Sequence, residues 1–513
     1  MPEYDFIVVG AGSAGCVLAA RLTEDPAARV LLLEAGSAER TQAMTVPSAW
    51  PRNIGTTAEW GYTTTPQADA GSLIYPAGRA LGGSGAINAM AHVRGHRGIY
   101  DGWAASGAVG WGFDDLLPYF RRTETAKPGP PPRCVASDSP LRGTSGPVTV
   151  APVPPGARHP VALALADGLR QAGYPATDDL SGAIQEGAVW IDLAIAGGQR
   201  VSPADAYLRP VMIRPNLAVE AGAQATGLVI REGRCRGVRY VRSGQVPTVA
   251  DASTEVILCA GAIGSPKLLL LSGIGPAARL SELGIDVVAD LPGVGENLQD
   301  HPIARIYYES GDLPGSSYNH GELYSALRSP LAGAYPDLQI FPILVPTAPA
   351  GEKAPPCGYT LASAVLAPDS RGTVRLAAAD PAVPPLIDPA LFEDPKDTER
   401  AVSGLELIRD VVSGPSFDGV RGTELWPGIA VTSREGLRAH ARRVVESYYH
   451  PAGTCRMGTG PLAVTDPEVR VHGVAGLRVA DASIMPVIPN AHPHATVLAI
   501  AEKAAALVRG QAC

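Results

Sequence analysis

Three glycines, in Gly10-Ala-Gly12-Ser-Ala-Gly15, stand between an apolar run and a segment of helical spacing, and that placement constrains the fold more than any other feature. Tyr4-Asp-Phe-Ile-Val-Val9 reads as a short buried strand, Ala14 to Leu22 has helical spacing, and Val30-Leu-Leu-Leu33 reads as a second buried strand. Strand, helix and strand within about thirty residues make a βαβ unit. Gly10 permits the tight turn, Gly12 lets the backbone approach a pyrophosphate, and Gly15 lets helix and strand pack closely. Amides at the helix start, at Ser13 and Ala14, would face the phosphates, where the helix dipole favours negative charge. Glu34, followed by Ala35, closes the second strand nineteen residues after Gly15, where an acid accepts hydrogen bonds from a ribose. A glycine pattern of this kind also arises for packing alone. With strand, helix, strand and acid in place it predicts dinucleotide binding, without deciding between NAD and FAD.

A chain of 513 residues is too long for one simple core, so two domains are expected. Its 46% apolar and 18% charged residues suit a well-buried globular enzyme. A net charge of −8 without a long basic run argues against binding to nucleic acid or to an anionic membrane. The seven cysteines, at 16, 134, 235, 259, 357, 455 and 513, form no C-x-x-C pair. A disulfide framework or structural zinc is therefore not expected, and a reducing compartment is. Met1-Pro-Glu-Tyr-Asp5 lacks the positive charge that precedes a signal-peptide core, and the apolar stretch Val256 to Gly275 is broken by Pro266, Lys267 and glycines. A cytoplasmic enzyme with no membrane partner is the expectation.

Further along, Val256-Ile-Leu-Cys259 and Leu477-Arg-Val-Ala480 read as strands, and helices are expected from Pro266 to Leu271 and from Thr496 to Val508. Lys127-Pro-Gly-Pro-Pro-Pro-Arg133 and the four-proline segment Val345 to Cys357 read as loops, because proline has no amide to donate. There is no internal repeat.

A second glycine-rich loop, Gly78-Arg-Ala-Leu-Gly-Gly-Ser-Gly-Ala-Ile-Asn88, followed by Val93-Arg-Gly95 and Asp101, decides the cofactor. Here the chain resembles the glucose-methanol-choline (GMC) family of flavin oxidoreductases. The family's first signature fits except at His92, the second fits throughout from Gly261 to Gly275, and Leu291-Pro-Gly-Val-Gly-Glu-Asn-Leu-Gln-Asp-His301 matches a third landmark. The resemblance runs from residue 4 to about 508. It implies an FAD held by Arg79, Gly82, Gly83 and the backbone of Asn88, Ala89, Met90 and Ala91, with Ala225 and Ala260 contributing. Some relatives bond the flavin covalently to a His just before the Asn; Ile87 stands there, so dissociable FAD is expected.

The C-terminal block holds His450-Pro-Ala-Gly-Thr-Cys-Arg-Met-Gly458, Gly476-Leu-Arg-Val-Ala-Asp-Ala-Ser-Ile-Met-Pro486 and Asn490-Ala-His492-Pro-His494. The resemblance makes His450 the base and His492 its partner over the flavin, with Asp481, Ala482 and the helix start near Thr496 contacting the cofactor. The chemistry needs such a pair. An imidazole with a pKa near ~6.5 accepts a hydroxyl proton near neutral pH, and a second one holds the oxygen as it becomes alkoxide-like. His494, Tyr448 and Tyr449 are candidates for the substrate pocket wall, with the flavin edge or the helix start as the alternative place for His494, and His301 is read as structural. Cys455 is read as packing.

The resemblance thus implies oxidation of a primary alcohol, as in compact aryl-alcohol, hydroxymethylfurfural, choline and pyridoxine oxidising relatives. Pyridoxine oxidases carry Pro at the second catalytic position, so His492 weakens that assignment. Electrons are expected to pass to O2; a dehydrogenase with another acceptor and a hydroxynitrile-lyase-type enzyme are the alternatives. The fold class is α/β: a Rossmann-like FAD-binding domain (1–155, 225–315, 460–513) and an α+β substrate domain (156–224, 316–459). In the substrate domain Asp337 to Phe341 and Ser370 to Leu376 are expected as strands of an antiparallel sheet over the flavin.

Overall fold

The computed structural model describes residues 4–127, 139–242 and 244–510. Most of the proline-rich loop near residue 130, Cys134 and Cys513 lie outside them. The first sheet is built from β1 (Tyr4–Val9), β2 (Val30–Glu34), β3 (Leu217–Ala221), β4 (Ala223–Arg231), β5 (Arg234–Arg242) and β6 (Thr248–Leu258). Its parallel part runs β3, β2, β1, β6 and then Leu477–Val479; β4 and β5 add antiparallel strands on the outer half of β6. The helix after the glycine turn, α1 (Ser13–Leu22), buries eight of its ten residues. It packs against the C-terminal α3 (His494–Val508), with α2 (Gly261–Leu271) between them in sequence. Alanines at 499, 501, 504 and 505 let α3 approach so closely that each is at most 2% exposed.

The α2 helix begins at Gly261, five residues ahead of the expected start, and carries Pro266 inside. A proline cannot donate to the carbonyl four residues back. Here that carbonyl, of Ala262, accepts from the Thr454 hydroxyl at 2.6 Å, so the interior proline leaves no orphan.

The second sheet comprises β7 (Pro302–Glu309), β8 (Leu338–Ile343), β9 (Gly358–Val365) and β10 (Thr423–Trp426), antiparallel in the order β8, β9, β7, β10. Period-two alternation sorts its side chains. Ala304, Ile306, Leu338, Ile340, Leu361 and Val365 join the core beneath helices Pro160–Gln171 and Pro395–Ser413. Ile303, Arg305, Gln339, Phe341 and Ile343 point the other way, into a cavity shared with the first sheet.

Three placements differ from expectation. β3 pairs with β2 from Leu217–Val30 to Ala221–Glu34, although the boundary at 224 assigns it to the substrate part. β7 is central to the second sheet, although the boundary at 315 assigns it to the first. Both strands pair with segments distant in the chain, β3 in parallel and β7 antiparallel. Finally, Thr373–Arg375 pairs with Leu386–Asp388 as a separate hairpin. Its approach to the large sheet is pre-empted by reciprocal bonds between Gly372 and Leu298 and by Val374 N–H donating to the Gly295 carbonyl. Among the described residues no helix is long and apolar enough to cross a membrane.

Candidate functional site

One cavity of about 550 Å³ runs from the glycine turn to the second sheet. Three helices point their N-termini at it. Their N-cap residues, Gly12, Ala260 and Pro493, offer no side-chain cap. Amides at helix starts are the standard recognition of a phosphate or other anion, and at α2 the first of them, Gly261, already donates to Asp481 Oδ2 at 2.8 Å. The glycines around them differ in what they do. A Cβ on Gly10 would sit 2.6 Å from the Cys259 carbonyl oxygen, and one on Gly15 would sit 1.8 Å from that of Gly10. A Cβ on Gly83 would meet Gly12 Cα at 2.7 Å, so the two glycine-rich loops close on each other. A Cβ on Gly12 would touch nothing nearer than 3.9 Å and would enter the cavity instead. Glu34 accepts from the Ala11 amide at 2.9 Å and the Gly36 amide at 2.7 Å, and burial pushes its carboxyl up to about 7 against those bonds. A dinucleotide with its pyrophosphate at α1 and its ribose at Glu34 fits this cradle.

At the other end stand His450 and His492, ring centroids 4.9 Å apart and planes at 78°. Glu446–Ser447 pairs with the start of β7, which brings the following residues beside Asp300 and His301. Tyr449 then takes a positive φ of 62°, turning the chain so that the His450 amide donates to Asp300 Oδ1 at 3.0 Å. Asp300 also accepts from the His301 amide at 2.8 Å, the Tyr75 hydroxyl at 2.7 Å and the Ser447 hydroxyl. Burial lifts it to about 6 against those bonds. His301 Nδ1 lies 2.9 Å from His450 Nδ1. Two neutral rings joined in this way share one hydrogen, so the ring that donates exposes a bare Nε2.

Burial, and then the neighbouring His492 and His301 rings, hold His450 well below 6.5. Burial takes His301, His492 and His494 down to about 3. All four are neutral at pH 7, the state a proton acceptor needs. His492 Nδ1 is buried and unpartnered, while its ring lies between Tyr324, at 5.3 Å, and Tyr448, at 5.1 Å.

The cavity brings together Gly10, Gly12, Ser13, Ala14, Glu34, Ala35, Gly83, Asn88, Ala89, Ala91, Ala225, Ala260, Asp481 and Ala482 with His450, His492, His494, Tyr448 and Tyr449. Gly15, Arg79, Gly82, Met90 and Thr496 are not on its wall. Gly15 packs helix on strand, and the Arg79 guanidinium lies over the Trp60 ring at 5.0 Å. The Gly82 amide donates to the Ala11 carbonyl at 2.7 Å, and the Met90 carbonyl accepts from Ala194. Thr496 shares a hydrogen with the Tyr100 hydroxyl at 2.8 Å. His92 lies in a buried ion network, 3.2 Å from Glu124, which Arg94 and Arg142 also engage. Sequence reasoning missed Asp300, Gln339, Phe341 and Ile303, and underrated His301. Alternation along β8 was the one available signal for Gln339 and Phe341.

Models of the GMC oxidoreductase family match residues 4–303 and 368–501. Human mitochondrial choline dehydrogenase is 39% identical, with 99% of this chain and 90% of that protein aligned. Oxygen-dependent choline dehydrogenase of Photobacterium profundum is 38% identical over 99% of this chain and 93% of its own length. The crystal structure of pyridoxine 4-oxidase from Mesorbium loti superposes with a TM-score of 0.93 at 34% identity, covering 98% of each chain.

Proposed function

The chain belongs to the GMC oxidoreductase family, FAD-binding enzymes acting on CH–OH donors, and from that premise we propose that His450 and His492 oxidise a small primary alcohol to its aldehyde. The observation that carries this is the pair of neutral imidazoles 4.9 Å apart on the wall of a dinucleotide-sized cavity, one tethered through Nδ1. His450 donates its Nδ1 hydrogen to His301 and takes the substrate's hydroxyl proton at the bare Nε2. The Pro489 and Leu366 carbonyls favour a proton on the far side of His301, which fits that direction. His492 Nε2–H holds the oxygen as negative charge grows on it. FAD in the cradle supplies the hydride acceptor. We assign the first sheet and its helices to FAD and the second sheet to substrate, with O2 as the terminal acceptor.

His450→Ala should keep the yellow cofactor and lose flavin reduction by about 10²–10⁴-fold. Mixing enzyme with primary alcohols without air, then admitting air, tests the whole scheme: bleaching and rapid return with peroxide are expected. An alcohol that binds without bleaching would favour lyase chemistry instead. Ile87 offers no nucleophile to the ring, so acid precipitation should leave all the colour in the supernatant.

A further inference from the structure

The cavity face of the second sheet can be read row by row from its register. Gln339, Ala364 and Ile303 form one cross-strand row, and Phe341, Ala362 and Arg305 the next. Alanines on the middle strand leave a hollow that the Tyr448 ring covers. That ring stacks on Phe341 at 4.7 Å and touches His450 at 4.6 Å and His492 at 5.1 Å. Its hydroxyl lies 3.4 Å from Gln339 Nε2. The other atom of that amide, Oε1, has no partner, although Gln339 is only 1% exposed and lines the cavity. A buried oxygen in this state is costly unless a ligand brings it a donor. One aromatic ring, that of Tyr448, spans the distance from the imidazoles to Gln339, so a ligand of that length does too.

Charge on the wall is already committed. Of the carboxylates lining the cavity, Glu34 is held by two amides, Asp481 by Ser265 and Ser483, and Glu446 by Arg305 at 2.6 Å. An alcohol bearing a cation finds no free counter-charge there.

We propose that Gln339 determines specificity: its side-chain amide holds a hydroxyl at the far end of an uncharged alcohol whose carbinol end lies between His450 and His492. The proposal rests on the redox chemistry above and adds the substrate class. The body of the molecule packs on Tyr448 and Tyr324, and its second hydroxyl donates to Gln339 Oε1. The test compares holoenzyme with Gln339→Leu and Gln339→Met. The probes are 4-hydroxybenzyl alcohol, benzyl alcohol and choline, with flavin bleaching without air as the rate. Binding of 4-hydroxybenzaldehyde against benzaldehyde, read from the flavin spectrum, separates affinity from turnover. The wild type should favour the hydroxylated alcohol over benzyl alcohol by about tenfold or more in kcat/KM, with choline last. Both variants should bring that ratio close to one and lose the same preference between the aldehydes. An unchanged ratio in variants that retain FAD, or a wild type that prefers choline, overturns the proposal. No bleaching with any alcohol overturns the redox chemistry itself, which the unchanged-ratio result would leave standing.

Discussion

His301 and His450 stand 149 residues apart in the chain, and their contact is the least foreseeable feature of the site. His301 read as structural because nothing local distinguishes a His before a proline at the end of a loop. Its role comes from a ring-to-ring bond that only the folded chain makes. In the proposed mechanism His301 acts through His450, as a positioning residue. His301→Leu should retain FAD, lower the rate of flavin reduction about tenfold to a hundredfold and leave KM nearly unchanged. Its pH profile should move as well. Burial and then the His492 and His301 rings hold the base below 6.5, so removing one ring lets its pKa climb. The acid limb of kcat/KM, far below pH 6.5 in the wild type, should shift upward. His301→Gln, which keeps an acceptor, should recover part of the rate. A limb that stays in place would reduce His301 to packing.

At the scale of elements, the glycine turn divides into positions that serve packing and one that serves a ligand. Gly12→Ala places its methyl in the cavity and against no protein atom within 3.9 Å, so the chain should fold with unchanged circular dichroism yet bind FAD at least tenfold more weakly. Gly15→Ala drives a methyl to 1.8 Å from the Gly10 carbonyl oxygen and should destabilise the fold itself. Flavin-to-protein ratio and thermal melting separate the two, and equal effects on both would refute the division. This turn, with β1, α1, β2 and Glu34, was legible because strand, turn, helix and acid follow one another within about thirty residues and its strands are mostly apolar. β6 was only half legible: Val256, Ile257 and Leu258 are fully buried, while Asp251, Ser253 and Thr254 upstream face solvent and Thr248 to Asp251 form an antiparallel extension with no apolar run. Likewise Pro266 hid the start of α2, because Thr454, which satisfies the freed carbonyl, lies 192 residues away.

For the whole molecule, burial holds five imidazoles uncharged, and that ties stability to pH. His301, His492 and His494 are held at about 3, His440 at about 4, and His450 well below 6.5, burial being the first cause in each. An unfolded chain protonates these five rings as pH falls through ~6.5, while the native chain resists until far lower. Stability is therefore present above pH ~6.5 and drains away below it, by as much as about 1.4 kcal/mol per pH unit for each ring. Asp300, lifted to about 6, Glu34, lifted to about 7, and Asp481, also raised by burial, work the other way, because the native state binds their protons first. Five rings outweigh three carboxylates, so Tm should fall by several degrees per unit between about pH 6.5 and pH 4.5. Saturating FAD during the melts keeps the cofactor's own stabilisation constant. A Tm that holds or rises over that range would count against neutral rings in the native state, and so against His450 as the base.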